Sequence, residues 1–266
     1  MTTPGFGTPT RVPGPYVTPD APVGAFGLLL DWILARHLEI AAAQGPVGRP
    51  RTASISTLAE PPGARAALAV RGFVPVRYSF EMLRPTLDDI PDCALPAGIE
   101  VRPVEREQSR RIWEAETETE AFAGHWGAGA DNGSEERWQE FLADPFTDLP
   151  LWQVAWDGDQ IVGMVRPFIN DDENAHFGVR RGWCENISTR APWRGRGIAS
   201  ALISRALGAL RERGMTEAAL GVDAQNETGA LHLYQRMGFR EAARETEWRR
   251  PLLLDGGSTT SLGASE

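Results

Sequence analysis

Apolar and polar positions follow two different rhythms along this chain, and each rhythm predicts a type of secondary structure. Apolar residues recur at helical spacing over residues 24–44, 60–72, 105–122, 134–143, 198–213 and 227–239. They alternate with polar residues, as in strands, over residues 51–57, 73–83, 99–104, 151–168, 181–189, 217–224 and 243–253. Within this set, residues 151–168 form two strands around Asp157-Gly158, the strongest hairpin signal of the chain. Strands interleaved with helices predict an α/β (α+β) protein.

Turn-forming segments divide the chain into two predicted domains. Residues 86–98 are rich in proline and acidic residues, which is typical of a linker. We therefore predict one domain over residues 23–85 and a second over residues 99–254. The ends, residues 1–22 and 255–266, are rich in small and turn-forming residues and predict disordered tails. The first tail has neither the basic nor the apolar stretch of a signal peptide.

Composition narrows the classes of function. The formal net charge of −9 and the isoelectric point near 5.1 argue against a protein that binds nucleic acid or an anionic membrane. The most apolar run, residues 24–35, is too short to span a bilayer and contains Asp31. Cys93 and Cys184 are far apart and have no metal-ligand spacing, so we expect neither a disulfide framework nor a metal site. We expect a cytoplasmic protein that acts on small molecules.

The chain also contains a weak internal repeat. Residues 68–85 are similar to residues 234–251 around a shared Gly-Phe pair. Upstream, residues 17–32 are similar to residues 189–204. Since matched segments occur in the same order, we predict that the two halves are copies and that the first copy lacks its front strands.

The stretch PWRGRGIASALISRAL (192–207) places two arginines and two glycines directly before a helix. A helix N-terminus carries unpaired backbone N–H groups and partial positive charge, so phosphates bind there when no side chain blocks them. Gly195 and Gly197 leave the backbone unobstructed, and Ala199 keeps the next turn small. Five arginines and one acidic residue lie between residues 178 and 198. The stretch therefore predicts a site for a small polyphosphate.

Two common phosphate-binding loops do not match this stretch. A P-loop needs Gly-Lys-Ser/Thr, and a dinucleotide fingerprint needs three glycines straight after a strand. The pattern Arg194-x-x-Gly197-x-Ala199, after a strand and opening a helix, resembles motif A of the GNAT superfamily of acyl-CoA-dependent N-acyltransferases. The segment DAQNETGALHLYQRMGF (223–239) is similar to the next block of that family. The resemblance covers roughly residues 99–253 and implies the GNAT fold, a mixed central sheet flanked by helices.

The same resemblance implies acetyl-CoA as co-substrate, with no metal. In the family, the strand before motif A and the strand after it splay apart, and the pantetheine arm of the coenzyme enters the gap. The backbone groups assigned to that arm belong to Ile187, Ser188 and Thr189. The pyrophosphate is assigned to the loop and the helix start, residues Arg194, Gly195, Arg196, Gly197, Ile198 and Ala199. Asn226 matches a residue that contacts the coenzyme arm, and an asparagine at this position also suits a helix cap.

Two further residues match catalytic roles in the family. Tyr234 matches the general acid that protonates the leaving thiolate, and a tyrosine with a pKa of about 10 is protonated at neutral pH. Its alternative role is to pack its helix onto the sheet. Glu185 lies on the motif A strand, where strict alternation places it on the same face as Ile187 and Thr189. Its carboxylate is a candidate base for the amine, and its alternative is a surface ion pair with Arg181 or Arg190.

The acceptor side is assigned to residues before the loop at 127–133. His125 and Trp126 lie in the region that covers the acceptor in this family, so the resemblance implies that Trp126 is a pocket wall and His125 a second candidate base. Water is a third candidate, and a buried structural histidine is the alternative for His125. The implied acceptor is a small primary amine.

A narrower resemblance links the chain to tandem actinobacterial proteins related to mycothiol synthase. It rests on HWG (125–127), ENIST (185–189) and the truncated first copy, and it implies an aminated sugar conjugate as acceptor.

The first copy lacks the residues that the second copy is expected to use. At the motif A position it reads Pro22-x-x-Ala25-x-Gly27, and Leu68 stands where Tyr234 stands in the second copy. We therefore predict that residues 23–85 are a truncated, inert GNAT-like half-domain. For the whole chain two functions fit: an acetyl-CoA-dependent N-acetyltransferase, or a non-catalytic acyl-CoA sensor or interaction protein that keeps the fold.

Overall fold

The computed structural model describes residues 9–11, 21–22, 24–43, 51–58, 62–118, 135–224 and 229–252. The predicted tail at 255–266 and most of the predicted tail at 1–22 lie outside these residues. Three predicted site residues, His125, Trp126 and Asn226, also lie outside them.

Strands and helices interleave along the described chain. The strands are β1 (Pro9–Arg11), β2 (Thr52–Leu58), β3 (Val74–Arg84), β4 (Ile99–Arg102), β5 (Gln153–Asp157), β6 (Gln160–Ile169), β7 (Arg181–Thr189), β8 (Glu217–Asp223) and β9 (Arg240–Pro251). The α-helices are α1 (Ala25–Ala43), α2 (Ala64–Ala69), α3 (Arg106–Glu118), α4 (Glu135–Ala143), α5 (Asp171–Phe177), α6 (Ile198–Glu212) and α7 (Ala230–Arg236). Short 3₁₀ turns occur at Leu149–Leu151 and Ala191–Trp193. The α/β (α+β) prediction is confirmed.

Contacts divide the chain into two compact units. One consists of Met1–Ser79 and Ala243–Glu266, and the other of Phe80–Ala242. The first boundary thus falls within β3, whereas the sequence predicts a domain end at residue 85 and a linker over residues 86–98. Leu87, in that predicted linker, is buried in the core of the larger unit.

The smaller unit contains a short sheet and two helices. β1 pairs in parallel with β2, and β2 pairs antiparallel with β9 from Thr52 opposite Pro251 to Leu58 opposite Glu245. Its core consists of apolar side chains from both helices and the sheet, among them Leu30, Ile33, Ile55, Leu68, Phe73 and Trp248. The Trp248 Nε1–H donates to the Thr57 hydroxyl at 2.9 Å, so the polar edge of this buried ring is paired.

The larger unit contains the sheet that forms the candidate site. Its strands lie in the order β3-β8-β7-β6-β5-β4. From β4 to β7 the neighbours are antiparallel, whereas β7 and β8 are parallel. Parallel neighbours require a crossover, which α6 provides between these two strands. The mixed sheet flanked by helices that the resemblance implied is therefore present.

The two faces of this sheet bury different apolar clusters. On β5, Val154 and Trp156 belong to one cluster, and Ala155 between them belongs to the other, as strand alternation requires. Helix α6 covers the face of Ala155 with a stripe of buried side chains at spacings of three and four, which are Ile198, Ala201, Leu202, Ala206, Leu207 and Leu210. Burying a leucine or isoleucine stabilises the fold by about 1.5–3 kcal/mol, so this stripe fixes α6 on the sheet.

Most predicted elements are found within a few residues of their expected ends. The predicted hairpin is confirmed, with Asp157 opposite Gln160 and Gly158 at φ 57° in the loop. A strand and a helix have no counterpart in the sequence-based prediction. The strand is β1, which pairs with β2 although residues 1–22 were predicted to be disordered, and the helix is α5 between β6 and β7. The side chain of Asn170 caps it by accepting from the Glu173 N–H at 2.9 Å.

Candidate active site

The parallel strands β7 and β8 separate part-way along their length. Paired positions run from Arg181 opposite Glu217 to Trp183 opposite Ala219. Beyond them β7 continues to Thr189 and β8 to Asp223, and the described residues of these segments are not paired with each other. The gap opens into a cavity of about 610 Å³, here called the β7–β8 cavity. It is lined by the end of β7, the loop before α6, the end of β8 and helix α7.

A bulge reshapes β7 where it borders this cavity. Glu185 pairs with Arg166 on β6, but the next regular pair is Ser188 with Met164, so one extra residue stands on β7. Asn186 adopts φ 52°, a left-handed conformation that asparagine tolerates better than most residues. The prediction that Glu185 shares a face with Ile187 and Thr189 is therefore wrong, because the bulge instead brings Ser188 onto the face of Glu185.

The loop before α6 leaves the start of that helix open. Gly195 and Gly197 have φ 73° and 88°, and a Cβ added to either would meet no atom within 4 Å. Both glycines line the β7–β8 cavity with Ile198, Ala199 and Ser200 of the first helical turn. The first N–H groups of an α-helix have no intrahelical acceptor, so they are available to an anion in the cavity.

Side chains on both sides hold this loop in place. The Arg194 Nε–H donates to the Thr189 carbonyl at 3.0 Å, which ties the loop to the end of β7. The Trp193 Nε1–H donates to the Asp157 carboxylate at 2.8 Å. Arg194 lines the cavity, whereas Arg196 is exposed and is absent from the lining. The side chain of Ile198 is buried in the core, so only its backbone is suited to contact a ligand.

Glu185 lies at the edge of the β7–β8 cavity in a poorly hydrated position. Burial raises the pKa of its carboxyl to about 7, although the nearby charge of Arg166 acts in the opposite direction. Its Oε1 faces Gly221 on β8, since a Cβ built there would lie 3.9 Å from it. The surface ion pair considered from the sequence does not fit this position: Arg181 instead contacts Glu217 at 2.8 Å. The guanidinium of Arg190 stacks on the Trp193 ring.

Tyr234 enters the same cavity from α7. Its side chain is 6% exposed and its ring contacts Phe239 edge to face at 6.4 Å between centroids. Burial, and secondarily the negative charge of Glu185, raises the pKa of the hydroxyl well above its ordinary value, so it is protonated at neutral pH. Tyr234 thus packs its helix against the core and also lines the cavity.

A second, smaller cavity of about 210 Å³ adjoins the first at Glu185 and Asn186. We call it the aromatic pocket, and its other lining residues are Phe141, Asp144, Phe146, Thr147, Trp152, Arg166, Pro167 and Phe168. Sequence reasoning missed these residues, because they come from four separate segments that meet only in the fold. Glu185 is the predicted site residue that lines both cavities.

Two further properties of the described residues bear on the class of protein. None of the described helices combines the length and the apolar content needed to cross a membrane. In the same part of the chain, no group of three His, Cys, Asp or Glu side chains is placed to hold a metal ion.

Residues 104–239, which include the splayed strands and the open helix start, match a known family profile. That profile is described as the acetyltransferase (GNAT) family. The chain belongs to the acetyltransferase (GNAT) family. Acetyltransferases of this family use acetyl-CoA, and membership of the family supports the prediction of an acyltransferase. The matched segment contains Glu185, the glycine loop and Tyr234.

Two similar GNAT proteins carry the name mycothiol acetyltransferase. The protein of Geodermatophilus obscurus is 30% identical over 195 residues, which cover 71% of this chain and 60% of that protein. The protein of Catenulispora acidiphila is 28% identical over 234 residues, which cover 88% of this chain and 70% of that protein. This chain therefore matches only part of the length of these relatives.

A solved GNAT structure supports the same fold. It is the GCN5-related N-acetyltransferase from Sphaerobacter thermophilus, with a TM-score of 0.69 and 28% sequence identity. The match covers 86% of this chain and 69% of that one.

Proposed function

We propose that this GNAT protein is an acetyl-CoA-dependent N-acetyltransferase that transfers an acetyl group to a small primary amine by direct attack in a ternary complex. The observation that carries the proposal is the position of Glu185, which lies at the junction of the β7–β8 cavity and the aromatic pocket. A base at such a junction can accept a proton from an amine in one cavity while the acyl donor occupies the other.

The β7–β8 cavity fits acetyl-CoA as the donor. Its volume lies within the 300–1,000 Å³ typical of small-molecule sites. The N–H groups at the start of α6, beside Gly195 and Gly197, would hold the pyrophosphate, and Arg194 would add positive charge. The unpaired end of β7, Ile187 to Thr189, would provide backbone hydrogen bonds to the pantetheine arm. We also assign Asn226 to a contact with that arm, as the family resemblance implies.

Acetyl transfer requires two proton transfers, one to Glu185 and one from Tyr234. The amine nitrogen bonds to the acetyl carbon of the thioester, and the carbon–sulfur bond breaks. Glu185 accepts the proton that the amine loses, directly or through water, and Tyr234 donates a proton to the departing sulfur. A backbone N–H at the end of β7 would stabilise the negative charge that develops on the acetyl oxygen.

We also propose that residues 23–85 derive from a second copy of the GNAT fold. The chain runs helix, strand, helix, strand over α1, β2, α2 and β3, and it repeats this order over α6, β8, α7 and β9. Left-handed glycines precede the two helices and the last strand in both copies; the pairs are Gly24 and Gly197, Gly63 and Gly229, Gly72 and Gly238. The first pair differs by one residue from the sequence alignment, which placed Ala25 opposite Gly197. After α2 the Phe73 N–H donates to the Leu68 carbonyl, as the Phe239 N–H does to the Tyr234 carbonyl. Leu68 has no acidic proton, so this copy is expected to be inert.

The deciding experiment separates chemistry from coenzyme binding at Tyr234. In Tyr234→Phe, kcat should fall by about 10²-fold or more because the general acid is gone, while the Kd for acetyl-CoA measured by calorimetry should stay within about threefold. Tyr78→Phe, in the smaller unit, is the matched control and should keep both values.

Three other results would count against the proposal. Full activity in Tyr234→Phe would remove Tyr234 from the mechanism. A wild-type protein that binds acetyl-CoA but releases no thiol with any amine would instead be the non-catalytic sensor. A wild-type protein that binds no acetyl-CoA would exclude both functions.

A further inference from the structure

We infer that the aromatic pocket is the acceptor subsite and that it selects a monoamine carried on a compact aromatic body, an inference that rests on the acetyltransferase function proposed above. Its placement supports this. The pocket meets the β7–β8 cavity at Glu185 and Asn186, so an amine in the pocket points to the base and to the donor at the same place.

Four of the ten residues that line the pocket are aromatic, namely Phe141, Phe146, Trp152 and Phe168. The Phe146 and Phe168 rings lie 6.0 Å apart between centroids at 39°, and Phe168 stacks in turn on Trp183 at 7°. Trp152 is buried on the other side and contacts Phe141 at 5.7 Å. Flat aromatic bodies pack favourably against such rings in offset or edge-to-face arrangements.

Two of the polar side chains that line the pocket make hydrogen bonds within the protein. The Thr147 hydroxyl donates to the Phe141 carbonyl at 2.8 Å, and the Asp144 carboxylate accepts the Phe146 N–H at 2.9 Å. Against the aromatic walls, a body rich in hydroxyl groups would lose its hydration and gain no hydrogen-bond partner from the rings. Burying unpaired polar groups is unfavourable, so the pocket disfavours sugar-like acceptors.

The charge of the pocket argues against acceptors with a second cationic group. The guanidinium carbon of Arg166 lies 4.8 Å from the centre of the Phe141 ring and 5.1 Å from that of Trp152, so its charge is held inside the pocket. The carboxylate of Glu185 interacts with the reacting amine, so it does not neutralise a second amine. Asp144 is exposed, and its charge is therefore weakened by solvent. A diamine or polyamine would bring a second positive charge close to Arg166.

The volume of the pocket suits a small acceptor. About 210 Å³ is below the range usual for drug-sized ligands, and it has room for one ring system and a short linker. The aromatic rings, the fixed cation and the small volume together favour an arylalkyl monoamine as acceptor.

The test compares three primary amines under saturating acetyl-CoA, with thiol release as the readout. The amines are 2-phenylethylamine, glucosamine and spermidine. We expect kcat/KM for 2-phenylethylamine to exceed that for each of the other two by at least about tenfold. In Phe168→Leu, the KM for 2-phenylethylamine should rise about tenfold while kcat and the KM for acetyl-CoA change little. Phe177→Leu, at an exposed phenylalanine on α5 outside the pocket, is the matched control.

The outcomes separate this inference from the function on which it rests. Turnover of glucosamine or spermidine at a kcat/KM equal to or above that of 2-phenylethylamine would overturn the aromatic-acceptor inference and leave the N-acetyltransferase in place. An unchanged KM in Phe168→Leu would show that 2-phenylethylamine binds outside this pocket. Absence of thiol release with all three amines would count against both.

Discussion

Arg166 on β6 lies directly opposite Glu185 on β7, immediately before the bulge at Asn186. The guanidinium of Arg166 is held against the Phe141 and Trp152 rings, while the carboxyl of Glu185 lies between the two cavities. The two effects on Glu185 oppose each other, because burial raises its pKa and the charge of Arg166 lowers it. Their balance leaves a carboxyl whose pKa of about 7 suits a general base at neutral pH.

This arrangement predicts the pH dependence of acetyl transfer. Glu185 accepts a proton only when ionised, so kcat/KM should rise with pH through about 7 and level off above it. In Arg166→Gln the opposing charge is lost, the pKa of Glu185 rises, and the rise in kcat/KM should move to higher pH. Cys184 and Tyr234, which also face this carboxyl, are neutral in this range because burial raises the pKa of each. The measurement is a pH profile of kcat/KM from pH 5 to 9.

Two further variants test whether the pH profile reports the protonation of Glu185. Glu185→Gln should lose about 10²–10⁴-fold in rate and with it the rise near neutral pH. Arg190→Gln removes an arginine that stacks on Trp193, and it should leave the midpoint of the profile unchanged. If Arg166→Gln kept the wild-type midpoint, Arg166 would have no influence on the protonation of the base.

The glycine loop predicts a specific loss of coenzyme affinity. In Gly195→Val the new side chain would occupy the space beside the helix start where the pyrophosphate is expected, so the Kd for acetyl-CoA should rise by about tenfold or more. The left-handed backbone also makes this variant less stable, by an amount of about 1–3 kcal/mol. Calorimetric titration with acetyl-CoA measures the first effect, and thermal denaturation measures the second.

Gly178→Val separates these two effects. Gly178 has φ 65° and open space around it, as Gly195 does, but it ends α5 and does not line the β7–β8 cavity. It should lose similar stability and keep its affinity for acetyl-CoA. Equal losses of affinity in both variants would mean that the effect of Gly195→Val comes from backbone strain and not from a blocked pyrophosphate site.

The parts of the fold set by local pattern were predictable from the sequence. The α6 stripe, the hairpin at Gly158 and the strand at 181–189 follow from periodicity and turn chemistry alone. Helix α5 was missed because its sequence, DDENAHF, has no apolar stripe. A signal was nonetheless present, since an Asn followed three residues later by Glu173 marks a helix start.

The features set by long-range pairing were beyond sequence reasoning. The bulge at Asn186 depends on how β7 pairs with β6, and the run ENIST reads as ordinary alternation. The aromatic pocket likewise depends on the meeting of α4, the segment after it, β6 and β7. Glu185 could therefore be predicted as a candidate base, but its position between two cavities could not.

The packing of α6 on β7 predicts how stability responds to a single added methyl group. Gly182 lies beneath Leu210, and a Cβ built on it would be 2.4 Å from the Leu210 Cδ2. Because Leu210 is fully buried and has little room to move, Gly182→Ala should destabilise the protein by about 1–3 kcal/mol. Leu210→Ala alone should cost about 2–5 kcal/mol through the cavity it leaves. In the double variant the new methyl group occupies part of that cavity, so the loss should be smaller than the sum of the two single losses.

Chemical denaturation of the wild type, the two single variants and the double variant measures the free-energy coupling between positions 182 and 210. Gly208→Ala is the control. Gly208 lies in the middle of α6 with no atom within 4 Å of an added Cβ, so that variant should gain up to about 1 kcal/mol from helix propensity. Strictly additive losses at Gly182 and Leu210 would show that the two side chains do not compete for the same space. In that case the close approach of α6 to β7 would not depend on a glycine at position 182. Since the glycine loop leads into α6, the position of that loop at the cavity would then have another cause.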